Sequence, residues 1–377
     1  MRRAADLVDP LRARPDWREL AAASVEANPL LAPAFLGAAL DHFAPPSVRL
    51  ALAHDSDGRL TALAPVRPVR IGRMIPATAL WTHPYAPRGV PLLDATEPVA
   101  AAAALLDAMG AAGSDLLVFP HLPLEGAAAE ALRAAAADAG RPVVTLRRAA
   151  RAMLERDAVP DGDVRSLLPG RRRKDYQRQL RQLAALGEVR IAAVGGGEAL
   201  PAIEAFLALE AAGWKGTGGT ALRSRPRTAA FARAALATGL IDGTAVLLGL
   251  WLDAQPLAML ACWRIGDTAV TWKIAYDERF ARFSPGVQLM LAAPPLLFAG
   301  PAIQRIDSLA VPGHPMIEPL WPGRMRLGSL VIGPEGGERR LALAARLDAI
   351  EAAAKARLRP LLKSRARRRP DAPAAAS

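Results

Sequence analysis

Three β-rich runs, "TAVLLGLWL", "PLAMLACWRI" and "TAVTWKIAY" (residues 244–252, 256–265 and 268–276), are joined by nothing longer than "DAQ" and "GD". Connections this short fit strands that turn back on one another, so the segment reads as a β-meander. The third run passes directly into "AYDERFARFSPGVQLM", where a Ser-Pro-Gly turn opens an apolar, helix-like stretch. A strand that enters a helix through such a turn leaves the first helical N–H groups unpaired, and those groups attract phosphate. The same residues also suit an ordinary connection, with Pro285 at the first helical position and Gly286 relieving crowding. On these residues alone the two readings are even.

The meander closes the second of two similar stretches. From Trp17 to Leu40 the apolar spacing predicts short helices separated by "NP" and "AP", and "SVRLALA" and "RLTALAPV" flank the turn signal "HDSDG" as a hairpin. Ala100 to Met109 and Gly126 to Ala139 read as helices, and "DLLVF" and "PVVTL" as strands. The polar stretch "ERDAVPDGD" marks a division near residues 155–168. It gives an N-terminal half over 1–160, a C-terminal half over 161–340, and a helical extension with a basic, disordered tail over 341–377. In the second half, Tyr176, Leu180 and Leu183 form one apolar stripe on an Arg/Lys-rich helix, with Gly187 as its expected C-terminal cap. Further helices are predicted over Leu200 to Ala212 and near Thr228 to Ala237. The helix after the Ser-Pro-Gly turn is expected to be short, kinked or ended by Pro294 and Pro295 about two turns in.

With 377 residues, 52% of them hydrophobic, the chain can bury a large core. Its single cysteine, Cys262, excludes an internal disulfide and a thiolate zinc site, and reads as a small core residue. The start, "MRRAADLVDPLRARPDW", has no apolar h-region, so a cytoplasmic location is the expectation. The apolar window 245–263 is interrupted by "DAQP", which fits two strands around a turn better than a membrane span. The net charge of +12 is uneven: residues 355–369 hold Lys and Arg but no acid, a composition that is solvating and at most binds RNA or anionic lipid weakly. No zinc-ligand, paired-carboxylate or Gly-X-Ser-X-Gly arrangement stands in a convincing context, and "GTGGT" lacks the Gly-Lys-Ser/Thr of a P-loop. Metal-dependent and serine-hydrolase chemistry therefore rank low.

From about Trp17 to Leu330 the chain resembles the acetyltransferase-like proteins linked by name to cellulose biosynthesis (CelD/BcsL), within the GNAT superfamily. The likeness rests on "NPLLAPAFL", "THPYAPRGVPLLD", the Arg/Lys helix, "GWKGTGGTAL", "AYDERFARFSPGVQLM" and "DSLAVPGHPMIEPLW". It implies an α/β fold of two tandem GNAT-like halves, as in the FemABX aminoacyltransferases, with mixed, mostly antiparallel sheets flanked by helices around a central cleft. It implies acyl transfer from acyl-CoA (acetyl-CoA), without a metal, to a sugar, polysaccharide precursor or envelope-related small molecule. The GNAT pyrophosphate signature is Arg or Gln, two residues, Gly, one residue, then Gly or Ala. Aligning Gly286 with its last position puts Ser284 at the first Gly and Ala281 at the Arg or Gln, so this chain departs from the pattern. What remains of the cradle is the backbone N–H of Gly286, Val287 and Gln288, the Ser284 hydroxyl, and Arg279 or Arg282 for charge.

Acyl transfer also needs a proton acceptor and an oxyanion stabiliser within hydrogen-bond reach. The resemblance places His314 beside the acyl site as the base. Asp307 can orient it or serve as a turn residue, and Lys273, on an otherwise apolar strand, either snorkels or points into the cleft. Trp214 and Lys215, ahead of the Gly-rich loop, together with His83 and Asp277, are the expected substrate contacts, and Trp214, Lys273, Asp307 and His314 are expected to share one pocket. Two alternatives stay open: a FemABX-like transferase using aminoacyl-tRNA, with the helix Arg171 to Arg181 and the tail on phosphates, and a non-catalytic GNAT-like binding protein.

Overall fold

The computed structural model describes residues 15–159 and 163–367. The basic start (1–14) and the end of the basic tail (368–377), both interpreted above, lie outside the described residues. The chain opens with helix α1 (Pro15–Ala22), a 3-10 turn over Pro29–Leu31, a π turn over Pro33–Gly37 and helix α2 (Ala38–His42). Strands β1 (Arg49–His54), β2 (Leu60–Ile71), β3 (Ile75–Leu80) and β4 (Leu92–Leu93) follow. Helix α3 (Pro98–Ala111), β5 (Leu117–Pro123), α4 (Ala127–Asp138) and β6 (Val143–Glu155) complete the first half. The second half contains α5 (Gly170–Ala184), β7 (Val189–Ala193), α6 (Ala199–Ala212), the single turn α7 (Trp214–Thr217) and α8 (Pro226–Asp242). The meander is β8 (Ala245–Leu252), β9 (Gln255–Ile265) and β10 (Thr268–Tyr276), followed by α9 (Pro285–Leu297), β11 (Arg305–Asp307), β12 (Gly323–Ile332) and α10 (Glu338–Arg367).

Among the described residues the strands form one continuous mixed sheet in the order β1-β2-β3-β5-β12-β6-β11-β10-β9-β8-β7, with β4 on the side of β2. Its pairings are antiparallel except β3 with β5 and β10 with β11. The same device thus occurs twice: the last strand of a meander meets, in parallel, a strand that returns after a helical crossover. β12 lies between β5 and β6, so a strand from residues 323–332 completes the sheet of the first half. β11 then joins β6 to β10 and makes the sheet continuous.

Both faces are covered, which is why β8 and β9 read as unbroken apolar runs rather than alternating ones. On one side of the meander, α6 and α8 pack together with the N-terminal helical turns around Phe35, Phe231, Trp263 and Trp272, whose rings meet edge to face. On the other side, Leu183 of α5 and Leu289 and Met290 of α9 form a second core with Leu250 and Leu260. α3 and α4 cover the first half's sheet, and Leu341 and Ala344 of α10 cover its opposite face beside Ile71 and Val331. α10 continues through residue 367, well into the stretch read as a disordered tail.

Two local expectations differ. α5 ends at Ala184 with Ala185 as its cap, and Gly187 has another role: a Cβ there would lie 2.5 Å from the Asp253 carboxylate, which accepts the Glu188 N–H. α9 does not stop two turns in, because Pro294 and Pro295 fall in its last turn, where Phe298 N–H still closes onto Pro294 O at 2.8 Å.

A buried ionic joint ties the halves together where β11 meets β6. Arg88, 1% exposed, donates to Asp307 Oδ2 at 3.0 Å and to Glu26 Oε1 at 3.0 Å, and Arg151 donates to the same Asp307 oxygen. Burial pushes the Asp307 carboxyl up, but Arg151 and Arg88 outweigh it and hold it below its ordinary value. For a carboxyl depressed in this way, the stability contribution is present above the unfolded value of 3.8 and is lost as pH falls through the lower folded value. Asp307→Ala strands two buried guanidinium groups and should cost about 3–5 kcal/mol in urea unfolding near neutral pH. The variant's stability should also fall less steeply than the wild type's below pH 3.8; equal acid slopes would contradict this role.

Candidate functional site

β10 and β11 pair only from Thr268–Val270 to Arg305–Asp307. Beyond Val270 they separate, while β10 stays on β9 through a bulge between Thr271 and Lys273. The last tie across the gap is Thr271 Oγ1 donating to Ser308 O at 3.0 Å. β11 then turns away through Leu309, held at φ 49° with its N–H on Asp307 Oδ1 at 2.9 Å. The rest of β10 therefore presents an open backbone edge to a cleft.

The cleft has two lobes. An inner one of about 220 Å³ is bordered by Pro84, Trp272, Lys273 and Leu309, and an outer one of about 270 Å³ by Glu210, Trp214, Tyr276, Glu278 and Gly286. Lys215, Ile274, His314 and Met316 border both.

Its charge comes from a Lys-Glu-Lys cluster. Glu210, in the last turn of α6 and 2% exposed, accepts the Leu222 N–H at 2.8 Å and Lys273 Nζ at 3.2 Å, with Lys215 Nζ at 3.7 Å. Lys273 thus points into the cleft, its ammonium 5.1 Å from the centre of the Tyr85 ring. Lys215 Nζ also donates to Ile274 O at 2.6 Å, so it occupies a carbonyl on the open edge of β10. Burial lowers the Lys215 pKa, an effect that Glu210 opposes and Lys273 reinforces. Glu210 was not identified from sequence. Its only signal there is a single carboxylate at the end of the apolar helix "FLALEAAG", five residues before Lys215.

The predicted site residues divide. Trp214, 61% exposed, stands at the mouth of the outer lobe, its backbone N–H on Glu278 Oε1 at 2.7 Å, and it meets Lys215 and His314 there. His314 Nδ1 accepts the Met316 N–H at 3.3 Å, so the neutral ring carries its proton on Nε2 and offers the cleft a donor rather than a base. Asp307 is fully buried in the ionic joint and borders neither lobe, so the expected four-residue pocket lacks it. His83 also lies outside both lobes, among aromatic rings; burial and Arg67 lower its pKa to about 3.

Around the turn, Asp277 and Arg279 pair with each other through Arg279 Nη2 at 2.6 Å and border a groove of about 660 Å³ that continues outward past Tyr276. Arg282 is exposed and lies over the Phe283 ring, outside both lobes. Ser284 adopts φ 52°, ψ 49° and makes no side-chain cap bond. The N–H groups of Gly286 and Val287 have no hydrogen-bond partner among the described residues, but Gln288 N–H is taken by Ser284 O at 3.0 Å. Gln288 is thus not part of an open cradle; its side-chain amide donates to Tyr176 O at 2.8 Å and ties α9 to α5.

Among the described residues no His, Cys, Asp and Glu groups converge as a metal site, and no helix is long and apolar enough to cross a membrane.

Residues 170–295, the segment from α5 through most of α9, match the family model described as acetyltransferase (GNAT) domain. No curated protein sequence matches the chain. Among solved structures, FemX superimposes with a TM-score of 0.56 at 11% identity, covering 86% of this chain and 97% of its own. The C-terminal DUF2156 domain of a putative lysylphosphatidylglycerol synthetase from Agrobacterium fabrum gives 0.53 at 14% identity, covering 93% of this chain and 96% of its own. A conserved protein of unknown function from Bacteroides thetaiotaomicron gives 0.52 at 13%, with coverages of 87% and 97%. At these identities the likeness is one of fold: a mixed α/β architecture shared over nearly the whole chain.

Glu210→Ala should destabilise the protein by about 1–3 kcal/mol in urea unfolding, since it strands the Leu222 N–H and two partly buried ammonium groups. Glu210→Gln keeps an acceptor for that N–H and should lose less. Equal losses would mean that the carboxylate charge, not the backbone bond, dominates.

Proposed function

We propose that the chain is an acyl-CoA-dependent N- or O-acyltransferase acting on a sugar, a polysaccharide precursor or an envelope-related small molecule, in keeping with its resemblance to the CelD/BcsL group. The observation that carries this reading is the open edge of β10 leading, through the left-handed Ser284, to two unpaired N–H groups at the start of α9. An extended amide-bearing donor can pair along such an edge, and phosphate suits the helix start. The GNAT domain match ends within α9 and includes that turn. Lys215 holds the Ile274 carbonyl in the meantime, so donor binding on this reading displaces it.

The chemistry assigned to the cleft is attack by the acceptor's nitrogen or oxygen on the thioester carbon. The new C–N or C–O bond forms, the C–S bond breaks, and the acceptor's proton leaves for solvent or the departing thiolate. Lys273 Nζ supplies positive charge and His314 Nε2–H a hydrogen bond for the oxyanion. Lys215, whose charged form burial disfavours, relays the proton.

A second reading keeps the fold and takes aminoacyl-tRNA as donor. It is favoured by α5, whose exposed Arg171, Arg172, Arg173 and Lys174 sit on a helix tied to α9 by the Gln288–Tyr176 bond. A gel shift with bulk tRNA that survives removal of residues 355–377 and weakens steeply with salt would select it.

Isothermal titration with acetyl-CoA and free CoA tests the first reading. Gly286→Val should weaken binding roughly tenfold or more while leaving thermal stability nearly unchanged, because a Cβ there meets the Tyr276 ring at 3.5 Å and Ile274 Cδ1 at 3.7 Å, both ordinary van der Waals contacts. No binding to wild type at high micromolar donor sinks the acyl-CoA reading. A Gly286→Val protein that unfolds easily yet binds normally makes the turn a packing device.

A further inference from the structure

A cavity of about 700 Å³ lies on the first-half side of the cleft, between the 81–85 turn and the start of α8. Its wall is aromatic: Trp81 and His83 have ring centroids 4.5 Å apart, and Phe43 stands 4.8 Å from His83 and 5.7 Å from Tyr85. Its polar lining is cationic. Arg67, Arg225 and Arg227 border it and no carboxylate does. Among the described residues no hydrogen bond or ion pair engages any of these three guanidinium groups, and the Arg67 Nε is buried without a partner. Three unpaired guanidinium groups around one concave aromatic surface, with the Arg67 Nε buried, give a positive potential that suits an anionic ligand.

The cavity also adjoins the inner lobe of the cleft. Pro84 borders both it and the inner lobe. Tyr85 lines the cavity and lies beneath Lys273 Nζ, its carbonyl fixed by Trp272 Nε1–H at 2.8 Å. Pro84 and Tyr85 thus separate this cavity from Lys273.

We propose that this cavity is the acceptor subsite and that the acceptor is anionic: a phosphate or carboxylate group held by Arg67, Arg225 and Arg227, a ring or apolar portion against Trp81 and Tyr85, and a nucleophile directed toward Lys273. The word acceptor rests on the acyl-transfer reading of the cleft; the anion site does not. Planar guanidinium forks suit either oxyanion, and the two are separated by experiment.

Isothermal titration with para-nitrophenyl phosphate, para-nitrobenzoate and the uncharged para-nitrophenyl glucoside provides the test. At least one anionic probe should bind, the glucoside far more weakly, and whichever anion binds tighter identifies the acceptor's charged group. The exposed pair Arg225→Gln and Arg227→Gln, combined in one protein, should weaken the anionic probe roughly tenfold or more. Arg67→Gln should act in the same direction, and Gly286→Val, at the far end of the cleft, should leave the probe's affinity unchanged. Equal binding of the glucoside, or an unaltered affinity in the Arg225 and Arg227 double variant, overturns the proposal. Acetyl-CoA titrated into the same proteins keeps the two readings apart. A donor that fails to bind while the anionic probe binds in an arginine-dependent way removes the acyl-CoA reading and leaves the anion site standing. Loss of acetyl-CoA affinity in Gly286→Val, with no arginine dependence of the probe, does the reverse.

Discussion

The cleft depends on how β11 is held. Asp307, at the end of this three-residue strand, is bound by Arg88 and Arg151 on one oxygen and by the Leu309 N–H on the other. The two arginines come from the first half, one before β4 and one within β6. They anchor β11 to β6 and hold the following turn in a left-handed conformation, which takes the chain away from β10 after three paired residues. An apolar contact could fill the same space, but it would not select this one turn. A buried carboxylate with its acceptor positions occupied has few alternative arrangements of low energy.

The charges of the cleft follow from that separation. Once β10 loses β11 as a neighbour, its edge carbonyls need donors, and Lys215 supplies one at Ile274. An ammonium brought this far under the surface needs a counter-charge, and Glu210, at the end of α6, serves both Lys215 and Lys273. The result is two cations around one carboxylate, with Glu278 as a second acid at the outer lobe, beside a helix start with two unpaired N–H groups. The helix start favours anions, as does the arginine-lined cavity on the other side of Tyr85. A ligand that carries negative charge at both ends would find complementary surface at each end, with Lys273 between them.

Much of the architecture was legible before the structure. The meander, its two- and three-residue turns and the Ser-Pro-Gly entry to α9 are local patterns, and they hold because β-propensity, turn chemistry and helix-start rules agree there. The prolines misled because position within a helix, which the sequence did not settle, decides whether proline breaks or closes it. Lys273 lines the cleft, one of the two positions open to a lone lysine on an apolar strand. Asp307 and Glu210 were exchanged in importance. A carboxylate at a strand end is conspicuous in sequence, while one in the last turn of an alanine-rich helix is not. Nothing local reveals that the first is consumed by arginines 219 and 156 residues away, or that the second meets a lysine 63 residues further on.

By itself the sequence determined the elements: short range is enough to set helix periods, strand runs and turns, and these bound the fold class. The tertiary structure alone decided which strand completes which half, because β12 and β11 are too short or too plain to announce their partners and gain their places from pairing over long separations. It also decided the site. Whether a charged side chain is catalytic material or structural cement depends on what burial has taken from it and which opposite charge has been brought within about 3 Å. That information is spread over residues from Glu26 to Asp307, and it exists only once the sheet has closed.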